Sequence, residues 1–141
     1  MFITAPLAII RFFSLPFLLF SLLTITAHAE DAPEKTPPAY IEIRPQFVVN
    51  FESDTARLRY IKTSITLQTD AGDKALIEEN MPLVKDALVM FLSSRTSDQV
   101  TGAQAREKTR IEAAKDLNKV LKEETGKEPV KSVLFGSFLT Q

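Results

Sequence analysis

Apolar and polar positions alternate from Tyr40 to Phe51. Ile41, Ile43, Pro45, Phe47, Val49 and Phe51 fall on one face, and Glu42, Arg44, Gln46 and Asn50 on the other. A period of two is that of a half-buried strand. Val48 breaks the pattern, an apolar residue at an outward position. Pro45 cannot donate to a ladder, so an edge position or a bulge is expected there. Residues 52–56 are polar and read as a turn. Arg57 to Thr69 alternates again, with Ile61, Thr63, Ile65 and Leu67 inward and Lys62, Ser64, Thr66 and Gln68 outward. The short connection predicts an antiparallel hairpin. Asp70-Ala71-Gly72-Asp73 supplies turn chemistry at its end.

The period then changes. Ile77, Met81, Val84, Leu88 and Phe91 recur at three and four residues, one helical stripe. Pro82 interrupts it, and the residue before a proline is biased away from helical geometry. The spacing predicts a short helix to Glu79 and a second helix capped by Asn80, with Pro82 in its first turn. Ser93-Ser94-Arg95-Thr96-Ser97 ends that helix. Thr101-Gly102-Ala103-Gln104 matches a capping box, with the hydroxyl at the N-cap and Gln three residues on. The helix it opens is expected to run to about Glu124, with Ile111, Ala114, Leu117, Val120 and Leu121 as its apolar face. Lys108 and Glu112, and Lys119 and Glu123, would be neighbours on its exposed side. Gly126 is the expected C-cap, and Pro129 prevents continuation. Val130 to Gln141 is rich in Val, Leu and Phe and reads as a buried strand completing the sheet. The fold class is therefore α+β, in the order β-β-α-α-β, with two or three helices on a mainly antiparallel sheet. The expected core is Ile61, Ile65, Leu67, Val84, Leu88, Phe91, Val133 and Phe135.

The first residues follow a different logic. Phe12 to Ala27 carries no charge, Arg11 precedes it, and Ala27-His28-Ala29 has the small-x-small form that a signal peptidase reads. Residues 1–29 are thus expected to be a signal peptide cut after Ala29, or an uncleaved signal anchor, with cleavage favoured. Either places the following domain outside the cytoplasm. Residues 30–39 contain Pro33, Pro37 and Pro38 among polar residues and read as an extended linker. The domain proper is expected at 40–141.

Composition removes several kinds of chemistry. The chain has 141 residues, 25% of them charged, and a formal net charge of −1. It lacks the basic excess that draws proteins to nucleic acid. With no cysteine there is no disulfide, thiolate nucleophile or cysteine zinc site. Glu78-Glu79 and Glu123-Glu124 are adjacent on helices, so each pair points about 100° apart and cannot converge on one substrate. Asp86 reads as a surface carboxylate, with pairing to Arg95 or to a strand residue as the alternative. Cleavage after Ala29 would remove His28, the single histidine, and leave the hydroxyls of Ser93 to Ser97 without one to activate them. Asp70 and Asp73 lack the further acidic residues of a calcium loop. No catalytic, cofactor-binding or metal-binding residue is assigned, and no enzyme activity is expected. The strand edges at 40–51 and at the C-terminus are the places where a neighbour's chain could extend the sheet.

Five blocks in order resemble a known family. They are Tyr-Ile-Glu-Ile-Arg-Pro-Gln-Phe-Val-Val-Asn-Phe (40–51), Arg-Tyr-Ile-Lys-Thr-Ser-Ile-Thr-Leu-Gln-Thr (59–69) and Met-Pro-Leu-Val-Lys-Asp-Ala-Leu-Val-Met-Phe-Leu-Ser-Ser-Arg-Thr (81–96). Asp-Leu-Asn-Lys-Val-Leu (116–121) and Val-Leu-Phe-Gly-Ser-Phe-Leu-Thr-Gln (133–141) complete the set. Together they resemble the flagellar basal-body-associated FliL family. The resemblance implies a periplasmic domain of stomatin-like fold, without enzyme activity or cofactor. It implies partners in the flagellar stator and basal body, and assembly of copies into a ring that supports rotation, motility and chemotaxis. The N-terminus departs from the family pattern, with one Arg where a basic tail and an uncleaved membrane helix are usual. A periplasmic oligomeric scaffold without a motor role is the alternative.

Overall fold

A computed structural model describes residues 36–52 and 57–141. The residues expected to form a signal or anchor, Ala27 and Ala29 among them, lie outside the described residues. The two alternating stretches form strands β1 (Pro38–Phe51) and β2 (Arg59–Asp70), and the C-terminal apolar run forms β3 (Val130–Thr140). All pairing is antiparallel, in the order β1-β2-β3. Between β2 and β3 come a 3-10 turn (Ala71–Asp73) and helices α1 (Lys74–Glu79), α2 (Met81–Ser93), α3 (Ser97–Val100) and α4 (Ala103–Thr125). The fold is α+β, with the helices on one face of a three-stranded sheet. β1 starts two residues inside the stretch expected to be linker, and the Pro37 carbonyl accepts the Ala71 N–H at 2.9 Å.

Pro45 leaves the buried face and is exposed. Ile43 pairs with Ile65 and Phe47 with Thr63, so four steps on β1 oppose two on β2. Two extra residues preserve the period-two phase, which is why Phe47, Val49 and Phe51 still point inward. The Arg44–Pro45 peptide inside this bulge is cis. β3 is irregular in another way. Phe138 opposes Thr63 and Phe135 opposes Ile65, three steps against two, and the register shifts again next to Val130. Each single-residue bulge flips the phase, so Val130, Val133, Phe135 and Phe138 all take the inner side without alternating in sequence. The expected buried strand is in fact an edge strand. Phe135 is only half-buried and packs on the core beside Phe138, with ring centroids 5.0 Å apart.

The remaining expected core residues are buried: Ile61, Ile65, Leu67, Val84, Leu88, Phe91 and Val133. α2 buries Val84, Ala87, Leu88, Phe91 and Leu92, and α4 buries Thr109, Ala113, Leu117 and Leu121. The α4 stripe therefore runs through every fourth residue. Ile111, expected on that face, is 44% exposed, while Ala114 and Val120 are half-buried.

Two helix starts differ from expectation. Asn80 does precede α2, but its side chain does not cap it. Its amide donates instead to the Leu76 carbonyl at 2.8 Å, closing α1. The capping box is not at Thr101 but at Thr96, whose hydroxyl accepts from the backbone at Gln99 while the Gln99 side chain accepts the Thr96 N–H. α4 begins at Gly102, in the positive-φ region at 91°, which glycine tolerates. Gly126 ends α4 with φ 76°, as a left-handed C-cap.

Candidate interaction surfaces

The candidate catalytic groups are dispersed. Glu78, Glu79, Glu123 and Glu124 are exposed on separate helix ends. Asp70 pairs with Lys131 at 3.0 Å and Asp73 with Lys127 at 3.3 Å, so neither carboxylate turns toward a shared cation site. Among the described residues, no group of three or more acidic or histidine side chains is placed to hold a metal. The hydroxyls after α2 are engaged locally. Ser93 and Ser94 donate to the Met90 and Phe91 carbonyls, and Thr96 donates to the Asp98 carboxylate. Ser97 Oγ accepts from Arg59 at 2.6 Å. The buried hydroxyls are also satisfied: Thr69 donates to the Pro129 carbonyl at 2.7 Å and Thr109 to the Gln99 carbonyl at 2.8 Å. Among the described residues no buried side-chain polar atom lacks a partner. A polar network this complete serves packing.

Arg95 holds the helical layer together. Its Nη1 donates to Glu112 at 2.8 Å, joining the end of α2 to α4. Its Nε donates to the Phe91 carbonyl at 3.2 Å, and its guanidinium lies 4.3 Å from the Phe91 ring centroid. The Arg95 carbonyl accepts the Glu52 N–H at 3.1 Å, tying in the end of β1. The partner is thus Glu112 rather than Asp86, which is exposed and unpaired among the described residues. Sequence spacing hides this pair because its members are 17 residues apart, one in the loop after α2 and the other on α4. Arg110 does similar work lower on α4. It binds Glu107, which holds the arginine above and the carboxyl below their usual pKa ranges, and it reaches Ser132 at 2.5 Å on β3. The Thr96 hydroxyl likewise lowers the Asp98 carboxyl.

Two of the exposed surfaces combine apolar groups with a charge that has no ion-pair partner among the described residues. One is the sheet face turned away from the helices. Val48 and Leu139 stand on it, 63% and 54% exposed, and the register places Lys62 between them. The other is the outer side of α2, where Val89 is 40% and Met90 63% exposed. Val48 was visible in the sequence as a break in alternation. Leu139 was hidden by the two bulges of β3.

Comparison with known proteins supplies the family. The family model described as "Flagellar basal body-associated protein FliL" matches residues 40–141, all three strands and all four helices. The chain belongs to the FliL family. A curated relative, "Flagellar protein FliL" of Aquifex aeolicus (strain VF5), is 31% identical over 115 residues, covering 78% of this chain and 68% of the relative. The FliL-family domain is thus a flagellar basal-body-associated module, and its exposed faces are the places to look for contacts. Among the described residues, no helix is long and apolar enough to cross a membrane.

Proposed function

We propose that this FliL-family chain is a non-enzymatic accessory of the flagellar motor. It acts on the periplasmic side of the inner membrane, carried there by residues 1–29 as an anchor or as a cleaved signal. The domain associates with the stator and with further copies of itself, in a ring, to support rotation, motility and chemotaxis. The observation that carries this reading is the family match across the full extent of the folded domain. The architecture supports it. Buried polar groups are used up in packing, and the available chemistry lies on exposed apolar and charged faces. Such faces suit assembly.

A deletion strain tests the proposal. Loss of the chain should reduce soft-agar spreading and lower swimming speed most in viscous medium, where load on the motor is highest. Unchanged motility at raised viscosity would leave only the scaffold role. Mass measurement of the mature N-terminus distinguishes the two modes of export. A mature chain beginning at Glu30 means cleavage after Ala29.

A further inference from the structure

The two exposed faces are complementary to each other. On the sheet, Val48 opposes Lys62 and Lys62 opposes Leu139, forming one row across all three strands. Adjacent strands lie about 4.8 Å apart, so the two apolar side chains flank the lysine across about 10 Å. On α2, positions 82, 86, 89, 90 and 93 fall within about 100° of one another around the helix axis. Pro82, Asp86, Val89 and Met90 of that stripe are exposed, on the side opposite buried Val84, Leu88 and Phe91. Pro82 and Val89 are separated by about 10 Å along the axis, at about 1.5 Å per residue, with Asp86 between them. Each face is thus a charge held between apolar groups over the same span. The charges are opposite, and neither Lys62 nor Asp86 has an ion-pair partner among the described residues.

We infer that the occupant of each face is a second copy of this chain. Val48, Lys62 and Leu139 of one copy seat on Pro82, Asp86, Val89 and Met90 of the next, with Lys62 paired to Asp86. This rests on the self-assembly proposed above and names its surface. The two faces belong to opposite layers of the domain, so the contact is heterologous and each copy offers one free face of each kind. Such a contact propagates head to tail, and it gives a ring where the rotation between successive copies closes. The apolar groups supply the attraction, and the ion pair, now partly desolvated, sets the register. An exposed lysine–aspartate pair alone would contribute little.

The test uses the full chain in mild detergent, with oligomer mass followed against concentration. Lys62→Asp and Asp86→Lys should each weaken association at least tenfold without changing the thermal unfolding of the monomer. The double variant, with the charges exchanged, should restore association. As the chain has no cysteine, a mixture of Lys62→Cys and Asp86→Cys copies should also yield crosslinked heterodimers with a short bis-maleimide. Oligomers that persist in both single variants overturn this contact while leaving self-assembly intact. A failure of the double exchange to recover what the singles lost overturns it as well. A wild-type chain that stays monomeric overturns both this contact and the self-assembly on which it rests.

Discussion

Leu88 is fully buried on α2, a helix that packs against both β1 and α4. Cutting it to alanine removes buried methyl groups and leaves a cavity that rigid strands cannot fill. Leu88→Ala should therefore cost about 2–5 kcal/mol in urea unfolding, and a loss below about 1 kcal/mol would contradict its burial. Arg95 tests a different physics. Its side chain, 17% exposed, combines a guanidinium held over the Phe91 ring, a bond to the Phe91 carbonyl and an ion pair with Glu112. Lysine is a point charge on a flexible stem and cannot make all three at once. Arg95→Lys should destabilise nearly as much as Arg95→Met, by about 1–3 kcal/mol. A lysine variant as stable as wild type would reduce the site to simple charge pairing.

At the level of elements, the short helix α3 and its neighbours show how helix ends are decided. The capping box expected at Thr101 forms instead at Thr96, and both threonines precede a Gln by three residues. Only Thr96 forms the reciprocal box, because the N-cap of α4 is Gly102, one residue past Thr101. The Thr101 hydroxyl instead donates back to the Ser97 carbonyl at 2.7 Å, an exposed bond. Thr96→Ala should cost about 0.5–2 kcal/mol, the usual penalty for a lost N-cap. Thr101→Ala should cost clearly less, and equal losses in thermal melts would argue against the assignment. β3 shows the same principle in a strand. At Gly136 an added Cβ would lie 2.5 Å from Ser64 Oγ, the atom that accepts the Ser137 N–H at 3.0 Å. A side chain there would have to displace the Ser64 hydroxyl, a constraint set by the close approach of the bulge to β2 and not by φ.

For the whole molecule, acid stability follows from the lowered carboxyls. Asp98 is held down first by the Thr96 hydroxyl and Glu107 first by Arg110. A carboxyl depressed on folding stabilises the fold fully above its unfolded value and loses that contribution as pH falls through the folded one. The urea midpoint should thus hold from neutral pH down to the ordinary carboxylate range and fall below it. Glu107→Gln should flatten part of that fall. A midpoint independent of pH across this range would exclude the linkage.

Much of this architecture is local in origin. Period-two alternation identified β1 and β2, period-3.6 recurrence identified α2 and α4, and Gly126 with Pro129 marked where α4 stops. These signals survive because one face of each element is buried and the other is wet, which leaves a record in residue order. Seven of the eight core positions expected from the chain are buried for that reason, and Phe135 is the half-buried exception. β3 left no such record, since two bulges scramble its phase and only pairing with β2 sets which side chains face in. Asn80 as a closer of α1, Thr96 in preference to Thr101, and Glu112 as the partner of Arg95 were likewise decided in three dimensions. Asn80 and Thr96 each had local alternatives between which the packed helix ends choose, while Arg95 and Glu112 are 17 residues apart, and local spacing carries no information about such a pair. The same holds for the sheet row of Val48, Lys62 and Leu139, three residues from three strands that only the register sets side by side.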